Sequence, residues 1–359
     1  MEKIKNIPLK DFFYMPGEFE NHKGCWMLWP ERADNWRLGA RPAQEAFISV
    51  AKAIAKFEPV TIGVNKNQYN NARTKIPNYI RVVEVPNDDS WARDSGPTFV
   101  VNKKGKVRGI DWKFNAWGGI MYSSWKNDKL VAKSIIKFEN IDYYKADVIL
   151  EGGSVNVDGE GTLITTEECL LNPNRNSNYP KKKIEKYLKE YTGVKKIIWL
   201  KKGIYKDEAS GHVDNLCCFV RPGVVVLLWT NNKSDPQYKI SRDAYKILRL
   251  ETDAKGRKLK VYKIHQPNPI YRTKHDNKGI KKVKGTLPRK EGQRLPASYI
   301  NFYIANGGIV MPIFNDPYDE PAFKTLQKLF SDRKIVKINS REIILGGGGI
   351  HCITRQVPK

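Results

Sequence analysis

Short apolar runs recur along the chain and predict mostly β-structure. Each run holds three to six residues, is rich in Val, Ile or Leu, and is bounded by residues that favour turns. Only three stretches place apolar side chains at helical spacing, and the clearest of them has Pro42 suited to its first turn. The predicted strands are 60–64, 80–85, 98–101, 148–150, 161–165, 196–200, 216–220, 224–229, 300–305, 308–313 and 343–345, and the predicted helices are 42–57, 181–191 and 321–330.

This order of elements predicts the α/β class. Helices separate some of the strands, but they are too few for a fully doubly wound sheet, and no internal repeat is visible. The one long stretch without periodicity is 266–294, which is rich in Pro, Lys and Gly. Because strands are predicted on both of its sides, we interpret it as a long basic surface excursion within a single domain spanning 1–359.

Composition predicts a globular cytoplasmic protein. The 359 residues are 40% apolar and include nine Trp and seventeen Tyr, enough to fill a sizeable core, which excludes intrinsic disorder. The longest apolar run, 224–229, is far shorter than the ~20 residues of a membrane helix, and no apolar segment follows the N-terminus as in a secretory signal. Five Cys at irregular spacing argue against a disulfide framework and for a reducing compartment.

The charge balance is strongly basic. Lys and Arg number 63 against 38 Asp and Glu, which gives a net charge of +25 and would suit a nucleic-acid or anionic-surface partner. The excess lies in polar stretches such as 181–183 and 274–290, without zinc-finger spacing, a basic zipper or an aromatic RNA-binding signature. We therefore expect solvated surface lysines rather than a nucleic-acid partner.

The segment 86–97 is the first candidate for chemistry. It holds three Asp, including Asp94, beside Trp91 and Arg93, and it lies between two predicted strands. Such a local acidic site would suit a cationic ligand, because a carboxylate binds a guanidinium by accepting two parallel hydrogen bonds from it. The same Asn, Asp, Ser, Gly and Pro content also fits an ordinary polar turn.

A second candidate is the pair His212 and Asp214, which leads into a predicted strand. Side chains two residues apart in an extended backbone project from the same face, so the imidazole would lie beside the carboxylate. That arrangement suits a group that takes up and releases protons near neutral pH, although a satisfied polar pair is an equal alternative. No third ligand lies at suitable spacing, which argues against a zinc site.

The third candidate is the glycine-rich C-terminal stretch that contains Cys352. Four glycines after a predicted strand resemble a phosphate loop, but only ten residues follow Gly349, too few for the helix and strand of a dinucleotide-binding unit. The glycines more plausibly let the backbone approach a ligand, with Cys352 at the end of a strand. Together with the His–Asp pair, Cys352 suits a thiolate nucleophile; the alternative is a buried structural cysteine.

The fourth candidate is Glu151, at the end of a predicted strand and before Gly152 and Gly153. A glycine kink there would let the carboxylate project into a cleft, whereas a plain hairpin would leave Glu151 solvated.

Taken together and in this order, these segments resemble agmatine deiminases, within the group that includes the Porphyromonas-type peptidylarginine deiminases. The resemblance extends over nearly the whole chain, through the motifs at 24–32, 34–37, 87–94, 151–153, 211–215, 297–303 and 350–354. The chain departs from the family pattern at three positions, where Gly349, Arg355 and Ala209 replace a common Asn, Gln and Thr.

The resemblance implies a five-bladed α/β propeller, the pentein fold of guanidino-group-modifying enzymes, with pseudo-fivefold ββαβ-type repeats around a central active site. It also implies hydrolysis of agmatine to N-carbamoylputrescine and ammonia through a covalent Cys thiouronium intermediate, as a step of polyamine (putrescine) metabolism. No metal or organic cofactor is implied, and similar enzymes suggest a homodimer. The implied roles are nucleophile for Cys352, general acid/base for His212, guanidinium-binding carboxylates for Asp94 and Asp214, and substrate-pocket residues for Trp91 and Glu151.

Two alternatives remain open at this point. The substrate could be arginine or a peptidyl C-terminal arginine, whose carboxylate should require a dedicated Arg or Lys in the pocket. In the other alternative, the chain is a catalytically inactive, basic nucleic-acid-binding relic of the fold, which would bind DNA or RNA in a salt-sensitive manner and release no ammonia.

Overall fold

The computed structural model describes all residues from 1 to 359. Its seventeen strands form five separate sheets. The strands are β1 (Lys3–Ile4), β2 (His22–Leu28), β3 (Val60–Val64), β4 (Arg81–Glu84), β5 (Thr98–Val101), β6 (Val107–Lys113), β7 (Tyr143–Ile149), β8 (Val155–Val157), β9 (Thr162–Thr166), β10 (Lys196–Leu200), β11 (Cys217–Arg221), β12 (Val224–Trp229), β13 (Lys260–His265), β14 (Tyr303–Ala305), β15 (Gly308–Ile313), β16 (Lys334–Asn339) and β17 (Arg355–Pro358).

Five helices of eleven to fourteen residues and six shorter ones connect the strands. The helices are α1 (Arg41–Ile54), α2 (Tyr69–Lys75), α3 (Ala92–Ser95), α4 (Ala116–Gly119), α5 (Asp128–Glu139), α6 (Glu167–Leu170), α7 (Pro173–Asn176), α8 (Lys181–Thr192), α9 (Gln237–Leu250), α10 (Asp319–Leu329) and α11 (Arg341–Leu345). Short 3₁₀ turns lie at Pro8–Asp11, Arg37–Ala40, Lys66–Gln68, Gly152–Ser154, Val213–Asn215 and His275–Asn277.

One unit is repeated five times along the chain. In each unit two strands pair antiparallel, and a long helix then leads to a third strand that pairs parallel to the second. The units are β5-β6-α5-β7, β8-β9-α8-β10, β11-β12-α9-β13, β14-β15-α10-β16 and β17-β2-α1-β3. The expected five-bladed α/β propeller with ββαβ-type repeats is confirmed, although the repeat could not be recognised in the sequence.

The fifth sheet closes the ring by joining the two ends of the chain. Its leading strand, β17, is the last strand of the chain and pairs antiparallel with β2, through partners such as Arg355 and Trp26. The second to fourth strands, β2, β3 and β4, are parallel. Because the closing strand directly follows Cys352, folding of this sheet also determines where the thiol lies.

Each blade is held together by apolar packing between its helix and its sheet. In the third repeat all six residues of β12 are buried, as expected for a Val- and Leu-rich central strand with partners on both sides. Helix α9 covers this sheet with Ala244 and Leu248, which are buried in the same apolar cluster as β12. In the first helix, α1, Pro42 occupies the first turn, as predicted, and the buried stripe includes Phe47 and Ile54.

The predicted strands 60–64, 98–101, 196–200, 224–229 and 308–313 match the structure residue for residue. The three predicted helices are present with shifted ends, but the expectation of few helices was wrong because α5 and α9 were missed. The predicted strand 343–345 was also wrong: these residues end the five-residue helix α11. A three-residue apolar run cannot distinguish a buried strand from one turn of a buried helix.

The stretch 266–294 has an exposed and a buried side. It contains one 3₁₀ turn, His275–Asn277, and its ends meet at a bridge between Tyr271 and Arg294. Its lysines are exposed, whereas Arg272 and Arg289 are directed inwards and buried.

No helix is long and apolar enough to cross a membrane. All five cysteines are free thiols and buried.

Candidate active site

Five segments that occupy equivalent places in the five repeats meet at the centre of the propeller. Each segment lies immediately before the leading strand of its repeat, β5, β8, β11, β14 or β17. The residues they contribute to the centre are Asp94, Gly153, His212 with Asp214, Asn301 and Cys352. The pseudo-fivefold repeat therefore explains why residues that are far apart in the sequence share one site.

Cys352 lies in a turn between α11 and β17 and is almost fully buried. Its Sγ is 3.3 Å from Asn301 Nδ2, which donates to it, and 3.6 Å from Asp214 Oδ2. A Cβ on Gly348 would lie 3.2 Å from this sulfur and 2.6 Å from the Trp91 ring. Gly348 thus lets the backbone pass closely between the thiol and Trp91, whereas the predicted approach to a ligand stays a prediction.

Asp94 is held in a defined orientation by two donors. The backbone N–H of Gly153 donates to Oδ1 at 2.9 Å, and the indole N–H of Trp117 donates to Oδ2 at 2.9 Å. The same Oδ2 is 3.8 Å from Nδ1 of His212. Asp94 therefore faces the imidazole with a carboxylate that cannot easily rotate.

Gly153 marks the point at which three functional groups converge. A Cβ at this position would lie 2.6 Å from His212 Nδ1, 2.9 Å from Asp214 Oδ2 and 3.1 Å from Asp94 Oδ1. Any side chain would displace these groups, so glycine is required for the close approach of the backbone.

His212 is positioned by its own backbone and by buried carboxylates. Its N–H donates to Asp207 Oδ2 at 2.7 Å, and the N–H of Gly211 donates to the same atom at 3.0 Å, which fixes the preceding turn. Its Nε2 is 3.8 Å from Oε2 of Glu151. The other carboxylate oxygen of Glu151, Oε1, accepts from Nε of the buried Arg175 at 2.6 Å.

Asp214 is connected to a second histidine. His351 Nδ1 lies 2.9 Å from Asp214 Oδ2, and His351 Nε2 lies 2.7 Å from Glu18 Oε2. The Glu18 carboxylate also lies 3.4 Å from Arg93 Nη2. A relay of buried charged groups thus runs from the carboxylate beside Cys352 to Glu18.

The electrostatics of the site favour a neutral thiol next to a charged imidazole. Burial raises the pKa of the Cys352 thiol well above its usual value, and Asp214 and Asp94 raise it further. Burial alone would lower the pKa of His212, but its negatively charged neighbours, chiefly Asp94, outweigh it and raise that pKa well above its usual value. At neutral pH the site thus holds a thiol, an imidazolium and ionisable carboxyl groups in contact.

A pocket of about 370 Å³ leads to these groups. Trp91, Trp117 and Tyr122 form its aromatic wall, and Cys352 and His212 lie in its lining. Asp94, Asp207 and Glu208 contribute acidic groups to the lining. The pocket therefore combines π-faces and carboxylates, both of which favour a cationic ligand.

A profile of the Porphyromonas-type peptidyl-arginine deiminase family matches residues 14–358. The chain belongs to this family. A relative from Listeria monocytogenes is 58% identical over 363 residues, which cover 100% of both chains. The agmatine deiminase of Pseudomonas aeruginosa (strain LESB58) is 52% identical, with 100% of this chain and 99% of the relative covered. The structure of the agmatine deiminase of Enterococcus faecalis superimposes with a TM-score of 0.98 at 46% identity and covers 100% of both chains.

In this member of the deiminase family, the structure brings the six predicted site residues into one region. Trp91, Asp94, His212 and Cys352 line the pocket, while Asp214 lies beside the thiol and Glu151 beside the imidazole. Their chemical roles stay predictions.

Three expectations about their local structure were wrong. Cys352 does not end a strand but lies in the turn before β17. His212 and Asp214 are brought together at the start of a 3₁₀ turn, not by strand alternation. Glu151 neither projects into an open cleft nor is solvated, because it is fully buried against Arg175.

The acidic segment 86–97 also has a different organisation from the one expected. Of its three Asp, only Asp94 lines the pocket, together with Trp91 from the same segment. Asp89 accepts from the indole N–H of Trp36 at 2.7 Å and of Trp91 at 2.8 Å, so it orients the aromatic wall. Asp88 accepts from the backbone N–H of Asn127 at 2.7 Å, next to the start of α5.

Sequence reasoning missed several residues that complete the deiminase site. Asn301 and His351 lie inside motifs that were recognised, but no role was assigned to them. Asn301 occupies the equivalent position before a leading strand, a signal that becomes visible only once the repeat is known from the structure. Arg175, Trp117 and Arg289 gave no signal. Arg289 belongs to the stretch 266–294 and contacts Glu208, Asn35 and the backbone oxygen of Gly346.

Proposed function

We propose that this protein is an agmatine deiminase, a single-domain enzyme that hydrolyses agmatine to N-carbamoylputrescine and ammonia. The observation that carries the proposal is the arrangement of Cys352, His212 and two buried carboxylates, Asp94 and Asp214, at the end of a pocket with an aromatic wall. A thiol, an imidazolium and a carboxylate pair are the groups that hydrolysis of a guanidinium requires.

The carboxylate pair suits a guanidinium because the charge of Asp214 opposes the ionisation of Asp94. Burial raises the pKa of Asp94, and the nearby Asp214 and Glu151 raise it further, against the effect of His212. A planar cation between Asp94 and Asp214 would relieve this repulsion and donate hydrogen bonds to the carboxylates on both sides. Binding energy would thereby fix the guanidinium carbon next to Cys352 Sγ, which lies 3.6 Å from Asp214.

The bound cation also explains how a thiol with a raised pKa becomes a nucleophile. Burial and, after it, two carboxylates raise the pKa of Cys352, and a guanidinium between the carboxylates would neutralise their contribution. The Cys352 thiol loses its proton to solvent while His212 stays protonated, and the resulting thiolate forms a bond to the guanidinium carbon. The tetrahedral adduct then takes a proton from the His212 imidazolium as the C–N bond to the leaving nitrogen breaks. Ammonia departs, leaving an S-alkylthiouronium on Cys352.

The second half of the reaction reverses these roles. Neutral His212 accepts a proton from a water that attacks the thiouronium carbon, and the C–S bond breaks to release the ureido product and the thiol. Glu151, held by Arg175, would keep the imidazole aligned in both steps. Trp91 would cover the methylene chain of the substrate, since its ring lines the pocket above Cys352.

The lining of the pocket favours agmatine over arginine. Agmatine ends in an amine, which suits Asp207, Glu208 and the aromatic wall, whereas arginine adds a carboxylate that would need a free cation. Arg289 contacts the backbone oxygen of Gly346, which lines the pocket, but its charge is already paired with Glu208 and is not free to bind a substrate carboxylate. The names of the relatives from Pseudomonas aeruginosa and Enterococcus faecalis agree with this choice.

Ammonia release tests the proposal. The wild-type protein should release ammonia from agmatine with a kcat/KM far above that for arginine or for a peptide ending in arginine, while Cys352→Ser keeps the fold and loses turnover. Equal or better turnover of arginine would overturn the choice of substrate. Absence of ammonia release together with tight, salt-sensitive binding of RNA or DNA would favour the inactive nucleic-acid-binding alternative.

A further inference from the structure

A buried cysteine lies behind the imidazole, on the side away from the substrate pocket. Cys169 belongs to α6 and is fully buried. It is not among the residues that line the pocket, and the reaction outlined above does not use it. Its Sγ, Glu151 and His212 each offer one atom to a cluster in which these atoms all lie within 4.8 Å of one another.

Two polar atoms of this cluster are buried without a hydrogen-bond partner. They are His212 Nε2 and Glu151 Oε2, which are 3.8 Å apart. Both side chains are at least 99% buried, with exposed fractions of 1% and 0%. The two atoms face each other as a loose ion pair at 3.8 Å, too long for a hydrogen bond, so a ligand bound between them would satisfy both.

The three donor types match one class of ligand. A Cys sulfur, a His nitrogen and a carboxylate oxygen are the donors that zinc takes in tetrahedral sites, with water as a fourth ligand where a protein supplies three. Neighbouring donors around tetrahedral zinc lie about 3.4 Å apart for nitrogen and oxygen, given bonds of about 2.1 Å. The separation of 3.8 Å between His212 Nε2 and Glu151 Oε2 would have to close by about 0.4 Å.

The groups around the cluster also favour binding of a zinc-class cation. Arg175 Nε donates to Glu151 Oε1 at 2.6 Å and leaves Oε2 directed at the cluster. Asp94 Oδ2 lies 3.8 Å from Nδ1 of His212, on the side where a carboxylate would orient a metal-bound imidazole after closing to hydrogen-bond distance. Binding of Zn²⁺ would release one proton from the Cys169 thiol and one from the His212 imidazolium to solvent, so the net charge of the buried cluster would not change.

We propose that Cys169, His212 and Glu151 form a buried site for a zinc-class divalent cation, and that its occupation inhibits the enzyme. The cation would take Nε2 of His212 and prevent the imidazolium from forming, so the leaving nitrogen would receive no proton. The inhibitory consequence rests on the proposed function; the binding of the metal does not. Sequence spacing concealed this site because its three donors come from three separate segments, around 151, 169 and 212.

Cobalt binding tests the site independently of activity. Co²⁺ replaces Zn²⁺ in tetrahedral sites, and a thiolate ligand gives it a charge-transfer absorption in the near ultraviolet. We expect this absorption in the wild-type protein, in Cys352→Ser and in the matched control Cys217→Ser, whose cysteine is also buried but remote. In Cys169→Ser it should disappear, with cobalt affinity lowered at least as much as the ~10- to ~100-fold that outer-shell changes cost.

Two outcomes would overturn the proposal. One is an absorption that survives in Cys169→Ser but is lost in Cys352→Ser, because the metal would then occupy the catalytic thiol. The other is the absence of thiolate absorption from folded wild-type protein after prolonged incubation. Circular dichroism establishes that each variant is folded, and Cys169→Ala serves as a second variant if the serine variant does not fold.

Inhibition is measured separately by ammonia release after incubation with Zn²⁺. Because the site is buried, inhibition should develop slowly, and a chelator should reverse it. The wild type and Cys217→Ser should be inhibited at zinc concentrations at least about tenfold below those that affect Cys169→Ser. Equal sensitivity of Cys169→Ser and the wild type would refute the inhibitory role, whereas a protein that binds cobalt through Cys169 but never turns over agmatine would refute the proposed function alone.

Discussion

His351 provides the most discriminating test of how the site is held. Its Nδ1 contacts Asp214 at 2.9 Å, and its Nε2 contacts Glu18 at 2.7 Å. Burial and Arg93 act against protonation, but Glu18 and Asp214 outweigh them, so the pKa of His351 is raised and both ring nitrogens donate. In His351→Asn the carboxamide takes the place of Nδ1, whereas in His351→Gln it reaches the place of Nε2.

The two variants should differ because they remove different hydrogen bonds. His351→Gln removes the donor to Asp214 and leaves a buried carboxylate beside Cys352 without it, a change that costs about 1.5–3 kcal/mol for a bond to a charged group. This corresponds to a ~10- to ~150-fold loss of kcat/KM. His351→Asn keeps the donor to Asp214 and removes the contact with Glu18, which retains Arg93 and the backbone N–H of Ile304.

The assay is steady-state ammonia release from agmatine, together with thermal unfolding of each variant. We expect the loss in His351→Gln to lie mainly in KM, since Asp214 binds the guanidinium, and the loss in His351→Asn to stay below about tenfold. Equal losses in the two variants, or losses that follow their melting temperatures, would refute the positioning role.

Three further predictions concern the pocket. The raised pKa of Cys352 means that the thiolate becomes more abundant as the pH rises, and the raised pKa of His212 means that the imidazolium persists, so kcat/KM should increase from pH 6 to 8. An optimum at or below pH 6.5 would contradict this. Trp117→Phe removes the N–H that donates to Asp94 Oδ2 at 2.9 Å, so kcat/KM should fall about tenfold or more while the unfolding temperature changes little. Arg289→Met leaves Glu208 buried without its cation and should lower the free energy of unfolding by about 3 kcal/mol, as measured by chemical denaturation. The double variant Arg289→Met/Glu208→Gln should recover part of this loss. Failure to recover any of it would contradict the pairing.

Much of the fold could be predicted because its strands are short, apolar and separated by turn residues. The composition of the run 224–229 predicts a strand, and in the structure this strand lies at the centre of a sheet. Helix α9 was missed because its charged and aromatic residues obscure the stripe formed by Ile240, Ala244 and Leu248. The fivefold repeat could not be recognised because the units share a pattern of pairing, not of sequence.

The candidate site likewise has residues that local sequence could predict and residues that it could not. Cys352, His212 and Asp94 stand in local motifs whose residue types suit chemistry; each motif alone also fits a structural role, and only their combination in order indicates a site. The supporting groups do not, because their partners are remote in sequence: His351 meets Asp214 across 137 residues and Glu18 across 333. These partners come together only when the five blades pack around the centre, and a local sequence pattern does not predict that packing.

The central claim is that the sulfur of Cys352 bonds to the guanidinium carbon of agmatine and displaces ammonia. Acid quenching during turnover, followed by peptide mass spectrometry, tests this directly. The peptide that contains Cys352 should gain the mass of agmatine minus ammonia, and the adduct should be absent from Cys352→Ser and disappear once agmatine is consumed. Turnover at a normal rate with no adduct on Cys352, or an adduct on any other cysteine, would contradict the account.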